Sequence, residues 1–452
     1  MLRLWFGFKG RVNQRTYLSS GLGLFALKIG VDWALVNAFA TLPFDFLNYF
    51  NPVLSQRLEL MGEYPSWIPL VMGVWALPFI WIGISLSARR AIDAGLSGWF
   101  SLLFLLPVIN LLVIAGFCGL PSVGPKEADT DDASAEGDEE PKAHLVASAL
   151  LAVLATSTLG VGILILSVFG LGEYGSALFI ATPFVMGVVS VLFVHRGGYR
   201  GFKASLGVAM FSVAICGGAM MLLALEGGIC LLMTSPLAFG LSLLGAVLAD
   251  GMIRYNRDPK PSILTMALFL PVLTVGEGLM PTTLEVYPVV SSIVIDAPAE
   301  EIWPNVIGFS ELPPPKDWLM KTGVACPLRA RIEGSGVGAV RYCEFTTGPF
   351  VEPVTVWEPP HRLGFDVVKQ PPSMEEWSVW QTVHAPHVVG TMVSKRGEFE
   401  LTPLDSGKTE LKGTTWYTLD LAPSLYWKLY SDAIVHRIHN RVLGHIKELS
   451  ES

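Results

Sequence analysis

Asp432, His436 and His439 stand four and three residues apart near the end of the chain. On a helix this spacing puts the three side chains on one face, as a metal site or a proton relay requires. No HExxH sequence, no clustered Cys and His and no further upstream acid completes a site. Histidines on the solvent face of a helix are ordinary, so neither a metal nor a cofactor is expected. His384 and His387 lie in Trp380-Gln-Thr-Val-His-Ala-Pro-His387, which reads as a loop, either plain surface or a cover over a cavity mouth.

From Val340 to Phe345 the residues alternate, with Arg341, Cys343 and Phe345 facing one way and Tyr342 and Glu344 the other. If Tyr342 and Glu344 face inward, they are polar anchors in an otherwise apolar pocket. The competing arrangement leaves Glu344 on the outer sheet face. Tyr417, which shares a strand face with Leu411, Thr415 and Leu419, is expected to point inward and touch a ligand. Gly334-Ser-Gly336-Val-Gly338 falls between two expected strands and lacks a Lys-Ser/Thr continuation, so it reads as a hairpin turn and not as a phosphate loop. No G-x-S-x-G, Walker or dinucleotide-binding fingerprint is present.

The elements that carry these residues follow from composition. The 452 residues are 51% hydrophobic and 15% charged, with a mean hydropathy of +0.50. A soluble domain carries roughly 25% charged residues, so much of this surface is expected to meet lipid. The net charge of −8 and the lack of a basic stripe argue against nucleic acid as a partner. Five scattered cysteines without C-x-x-C spacing read as small buried hydrophobes, and only a Cys326 to Cys343 bridge is conceivable.

Eight apolar runs of membrane-spanning size lie at about 17–41, 65–88, 98–120, 145–170, 174–194, 204–226, 229–250 and 262–280. An acidic, Pro-flanked stretch separates the third from the fourth and reads as a disordered linker. The expected domains are therefore a membrane unit over 1–120, a linker over 121–143, a second membrane unit over 144–281 and a soluble domain over 282–452. Among the acids near the membrane, Glu173, Glu226, Asp250 and Glu277, only Glu277 is placed deeply enough for a transport role, and an interfacial position competes with that.

Basic residues Arg3, Lys9, Arg11 and Arg15 put the N-terminus in the cytoplasm, and Arg89 with Arg90 put the loop after the second run there too. The basic loops around Arg196 to Lys203 and Arg254 to Lys260 agree with each other but conflict with that start if all eight runs cross. Either one run, with 98–120 the candidate, is re-entrant, or the rule fails for one half. The side occupied by the C-terminal domain stays open.

After Pro281 the apolar period shortens to two, and half-buried antiparallel strands are expected. Trp427, Tyr430, Ile434, Ile438 and Val442 then recur every three to four residues, which marks one long amphipathic helix. The fold class is a multi-span α-helical membrane protein plus a C-terminal α+β domain in which a curved antiparallel sheet wraps that helix.

Two resemblances add to this reading. Phe8-Lys-Gly-Arg11-Val-Asn13-Gln-Arg15-Thr-Tyr17 and Arg89-Arg90-Ala-Ile-Asp93-Ala-Gly95-Leu-Ser97-Gly98-Trp99 are similar to the bacterial membrane family known as domain of unknown function 805. Ile92 stands where that family often has a histidine, and the acidic linker replaces its usual tail. This resemblance implies a multi-pass location in a bacterial-type inner (plasma) membrane. Val294-Ile-Asp296-Ala-Pro298-Ala-Glu300-Glu301-Ile-Trp303, the strand ladder and the terminal helix make residues 288–450 similar to the START/SRPBCC superfamily of polyketide cyclases and lipid-transfer domains. That resemblance implies a helix-grip fold with an apolar tunnel, and hence membrane-anchored binding or transfer of a lipophilic small molecule or lipid. The alternatives are an enzyme of the cyclase or hydratase type, or a transporter or sensor gated by the soluble domain. Membrane lipids and a hydrophobic ligand are the expected partners, and binding needs no covalent chemistry.

Overall fold

The computed structural model describes residues 5–49, 64–95, 101–122, 140–255, 260–280 and 284–452, apart from 9, 66, 102–103, 105–108, 197, 379, 381–382 and 384. Among the described residues, six helices are long and apolar enough to cross a membrane: α1 (Gln14–Phe39), α2 (Trp67–Asp93), α4 (Ser148–Leu171), α5 (Ala177–Val194), α6 (Phe202–Leu222) and α7 (Gly228–Tyr255). The chain is a multi-pass membrane protein. Of the eight apolar runs, 98–120 and 262–280 lie partly outside the residues described in full. The 98–120 run contains α3 (Ile109–Gly119), only 11 residues long, and 262–280 falls in α8 (Lys260–Gly278) of 19 residues, whose described apolar part begins at Phe269. The acidic linker lies largely outside the described residues.

The chain divides into two compact units. The first comprises Met1–Leu164, Ala181–Leu225 and Pro236–Pro271. Within it α1 opens on Asn13, whose side chain accepts from the Thr16 amide at 2.8 Å and so satisfies a donor that the helix leaves free. The two N-terminal sequence stretches meet here. The Tyr17 hydroxyl lies 2.9 Å from Ser87 Oγ. Arg90, fully buried, donates to Asp93 at 2.7 Å and to the Phe117 carbonyl at 2.9 Å, while Ser122 donates to Asp93. A buried guanidinium costs several kcal/mol unless its donors are filled, and the i, i+3 spacing of Arg90 and Asp93 fills one of them.

The second unit comprises Ile165–Ile180, Glu226–Ser235 and Val272–Ser452. It therefore draws three segments expected in the second membrane unit, 165–180, 226–235 and 272–281, into the same body as the C-terminal domain. Seven strands form one antiparallel sheet: β1 (Val286–Ile295), β2 (Pro327–Glu333), β3 (Val340–Phe345), β4 (Gly348–Glu358), β5 (Arg362–Asp366), β6 (Met392–Pro403) and β7 (Thr409–Leu419). The spatial order is β1-β7-β6-β5-β4-β3-β2. After β1 comes α9 (Ala299–Ile307), opened by Pro298 with Glu300 and Glu301 in its first turn, where carboxylates favour the helix dipole. Gly334, Gly336 and Gly338 adopt positive φ in the turn between β2 and β3, as the hairpin reading required.

The long terminal helix α10 (Ser424–Ser450) buries Trp427, Val435, Val442, Leu443 and Ile446. The core joins Val442, Leu443 and Ile446 to Ile302, Val306, Phe365, Leu363 and Leu411 from α9 and the sheet. A sheet curled around one long C-terminal helix is the helix-grip arrangement. Gly397 of β6 pairs with Phe365 of β5, and the Phe365 ring occupies the place a Cβ would take. That exchange lets an aromatic ring lie flat on the inner face of the sheet.

Candidate functional site

Between the inner face of the sheet and α10 lies a cavity of about 150 Å³. Phe345, Phe350, Phe365 and Phe399 of the sheet and Ile434, Ile438 and Val442 of α10 supply most of its apolar wall. Its polar lining includes Arg341, 2% exposed, in contact with Glu352. The pair is built by register, since Arg341 and Glu352 are direct partners across β3 and β4. Arg341 Nε also reaches the Ile307 carbonyl at 3.3 Å, and its guanidinium sits 5.1 Å from the Phe365 ring centroid. Burial pulls the Arg341 pKa down, and Glu352 beside it more than restores it, so Arg341 stays a cation.

Of the two strand faces open at the sequence level, Arg341, Cys343 and Phe345 form the inner one. Tyr342 and Glu344 are therefore not pocket anchors. Glu344 accepts from Arg329 at 2.7 Å and lies 3.5 Å from Arg331, and the Arg331 guanidinium stacks 4.1 Å from the Tyr342 ring centroid. Arginines in the neighbouring strand β2 hold both residues on the outer face. Cys343 and Cys326 are free thiols, and burial pushes the Cys343 thiol up to about 12.

Tyr417 is fully buried, as expected, but its hydroxyl donates to Asp432 Oδ1 at 2.7 Å and it takes no part in the cavity wall. Asp432 also pairs with Lys428. His436 Nδ1 lies 2.8 Å from Ser291 Oγ. His439, on the cavity wall, lies 2.8 Å from Thr415 Oγ1 through Nε2 and 3.2 Å from Ser291 Oγ through Nδ1. Burial, with His436 beside it, lowers the His439 pKa to about 4, so this imidazole is neutral at pH 7. The face shared by Asp432, His436 and His439 is thus tied into β1 and β7 by hydroxyl contacts and gathers no metal-ligand set. His384 lies outside the described residues.

His387 is not a surface loop residue. It is 6% exposed in the single turn Pro386–Val388. Its Nε2 lies 3.1 Å from Glu376 Oε1 and its Nδ1 3.1 Å from Glu226 Oε2. Tyr174 donates to Glu226 Oε1 at 3.0 Å, and Cys230 completes a group with Glu226 and His387 whose ligand atoms all lie within 4.8 Å of one another. Burial works against charge on His387, but Cys230 and the two carboxylates outweigh it and raise its pKa. Nothing local announces this cluster. Glu226 and Cys230 sit beside and within an apolar run, and Glu376 and His387 come from a distant loop.

Glu277 and Asp250 are also engaged. Glu277 accepts from the Ser176 and Ala177 amides at 2.6 and 2.7 Å, and so caps the start of α5. Asp250 accepts from Ser205 at 2.7 Å and lies 2.8 Å from Arg254.

Residues 5–127 match the family described as "Protein of unknown function (DUF805)". No curated protein gives a match to the sequence. Among solved structures, the chain is similar to truncated norcoclaurine synthase from Thalictrum flavum, with 12% identity over 38% of this chain and 97% of that one and a TM-score of 0.25. It is similar to the Zhui aromatase/cyclase from Streptomyces sp. R1128, with 18% identity over 37% of this chain and 94% of that one and a TM-score of 0.26. An uncharacterized protein from Bacillus thuringiensis has 12% identity over 37% of this chain and all of its own length, with a TM-score of 0.25.

Proposed function

We propose that the C-terminal domain binds a lipophilic small molecule or lipid between sheet and α10, and that the membrane helices hold it close to the bilayer. The observation that carries this reading is the cavity of about 150 Å³ walled by aromatic rings around one buried ion pair. An apolar cavity of roughly this size takes up benzene, so the occupant places one ring or a short branched chain there. A hydroxyl or carbonyl on the ligand would meet Arg341 and Glu352. Tethering serves such a ligand because it partitions into lipid, and attachment raises the domain's effective concentration there.

The titratable groups favour binding over catalysis. General acid–base work needs a group whose pKa lies near the operating pH. His439 is held at about 4, and Glu352, whose pKa burial raises against the pull of Arg341, is taken up in contact with Arg341. A transport role for Glu277 is disfavoured because its carboxylate is taken up by two backbone amides. Saturation-transfer NMR with benzyl alcohol on the full chain in detergent tests the site. Transfer exceeds that to a Ser394→Trp variant, whose indole fills the cavity beside Ser394. Equal transfer to both proteins sinks the proposal, since partition into the micelle is common to them.

The same reading gives a membrane topology. If the 98–120 run does not cross, α1, α2, α4, α5, α6 and α7 make six crossings and every basic loop falls on the cytoplasmic side. Crossing by α8 then puts residues 284–452 on the opposite side, together with the loops at 172–176 and 223–227. A Ser452→Cys variant in right-side-out plasma-membrane vesicles should react with a membrane-impermeant maleimide without permeabilisation. Reaction only after lysis would reverse the assignment.

A further inference from the structure

We propose that Glu226, Cys230 and His387 form a binding site for a divalent transition-metal ion, with Zn²⁺ the best chemical match. The three side chains are 3%, 7% and 6% exposed, and they offer one oxygen, one sulfur and one nitrogen within 4.8 Å of one another. A mixed O, S and N set suits a borderline ion such as Zn²⁺ and not Mg²⁺ or Ca²⁺, which take oxygen.

The details fit coordination better than a simple polar contact. Glu226 Oε2 is buried and accepts no hydrogen bond, although His387 Nδ1 lies 3.1 Å away. Two donors bound tetrahedrally at about 2.0 Å would stand about 3.3 Å apart, so the oxygen and nitrogen already have nearly the spacing of two ligands on one ion. The other side of the imidazole is prepared as well. With its proton on Nε2, His387 donates to Glu376 Oε1 at 3.1 Å, leaving the Nδ1 lone pair for the metal. A carboxylate behind a ligating histidine fixes the tautomer and raises the basicity of the ring.

Glu376 is itself fixed, accepting from the Ile229 amide at 3.1 Å and the Cys230 amide at 3.3 Å in the first turn of α7. Gly227 leaves no room for a Cβ against that carboxylate. Tyr174 orients Glu226 by donating to Oε1 at 3.0 Å.

Three protein ligands leave one tetrahedral position free. Cys230, His387 and Tyr174 also line a cavity of about 60 Å³ together with Met374, Trp427 and Ile434. Water or a small oxygen donor in that space would complete the shell. The cavity shares Ser373, Met392 and Ile434 with the larger one, yet the metal site does not depend on what the larger cavity holds. Binding releases the Cys230 thiol proton and leaves His387 neutral, so affinity falls on acidification.

The test uses the full chain in detergent, stripped with a chelator and titrated with Zn²⁺ and then with Co²⁺ as a spectroscopic probe. One equivalent of Zn²⁺ is expected. Co²⁺ should give a thiolate-to-metal charge-transfer band that is lost in Cys230→Ser and kept in Cys216→Ser, a buried cysteine in the other unit. Glu376→Gln should weaken Zn²⁺ about 10 to 100-fold while keeping the fold, read by an unchanged far-ultraviolet spectrum. If the folded protein takes up no Zn²⁺, or if Cys230→Ser keeps the charge-transfer band, the proposal is overturned. In that event His387 is an imidazolium held between two carboxylates for structural reasons alone.

Discussion

Replacing Arg341 with methionine lowers the stability of the C-terminal domain by about 3–5 kcal/mol, the usual cost of leaving one partner of a buried ion pair alone. Glu352 is then stranded, 6% exposed, among the rings of the cavity. The double variant Arg341→Met/Glu352→Leu should recover most of that loss, because apolar side chains of similar volume often replace a buried pair at little cost. Limited proteolysis across a denaturant series reads the domain's stability within the intact membrane protein. A single variant as stable as the wild type would mean that the pair is not dry, and a double variant no better than the single would mean that Arg341 acts through its rings and carbonyl contacts. In the proposed function the double variant is the informative one: it folds, and it no longer presents the Arg341–Glu352 pair to the ligand.

His387→Leu should be comparably damaging in the metal-free protein. It removes the cation between Glu226 and Glu376 and leaves both carboxylates in one dry pocket, a loss of about 3–5 kcal/mol. The pH dependence separates this role from simple packing. The His387 pKa is raised in the folded state above the ordinary value of about 6.5. Its contribution is therefore fully present below about pH 6.5 and declines as the pH rises above that, by at most about 1.4 kcal/mol per pH unit. Wild-type stability should fall between roughly pH 6.5 and 8.5, and the variant should lack that slope. The same slope in both proteins would assign it to another group.

Much of the C-terminal architecture was legible because it rests on periodicity. The Trp427, Tyr430, Ile434, Ile438, Val442 series marks α10, and Ile434, Ile438 and Val442 do face the cavity. The alternation through Val340–Phe345 was equally visible, but period two gives two faces without saying which is inner. An acid and a phenol look like pocket anchors, and an arginine looks like surface. What decides the matter is the register that sets Arg341 opposite Glu352 and the arginines on β2 that claim Glu344, and neither is a local property.

The buried cluster was illegible for a related reason. Glu226 reads as an interfacial acid, Cys230 as a small apolar residue and His387 as a loop histidine, and only the fold joins them. Six of the eight apolar runs coincide with helices that are long and apolar enough to span, among the described residues.

Native mass spectrometry of the full chain released from detergent micelles, with extraction and identification of whatever accompanies it, tests the binding claim most directly. The account predicts one equivalent of a small lipophilic molecule on the wild type, absent from Ser394→Trp. A wild-type chain that carries nothing and takes up no small aromatic alcohol, or one whose bound molecule persists in Ser394→Trp, would contradict it.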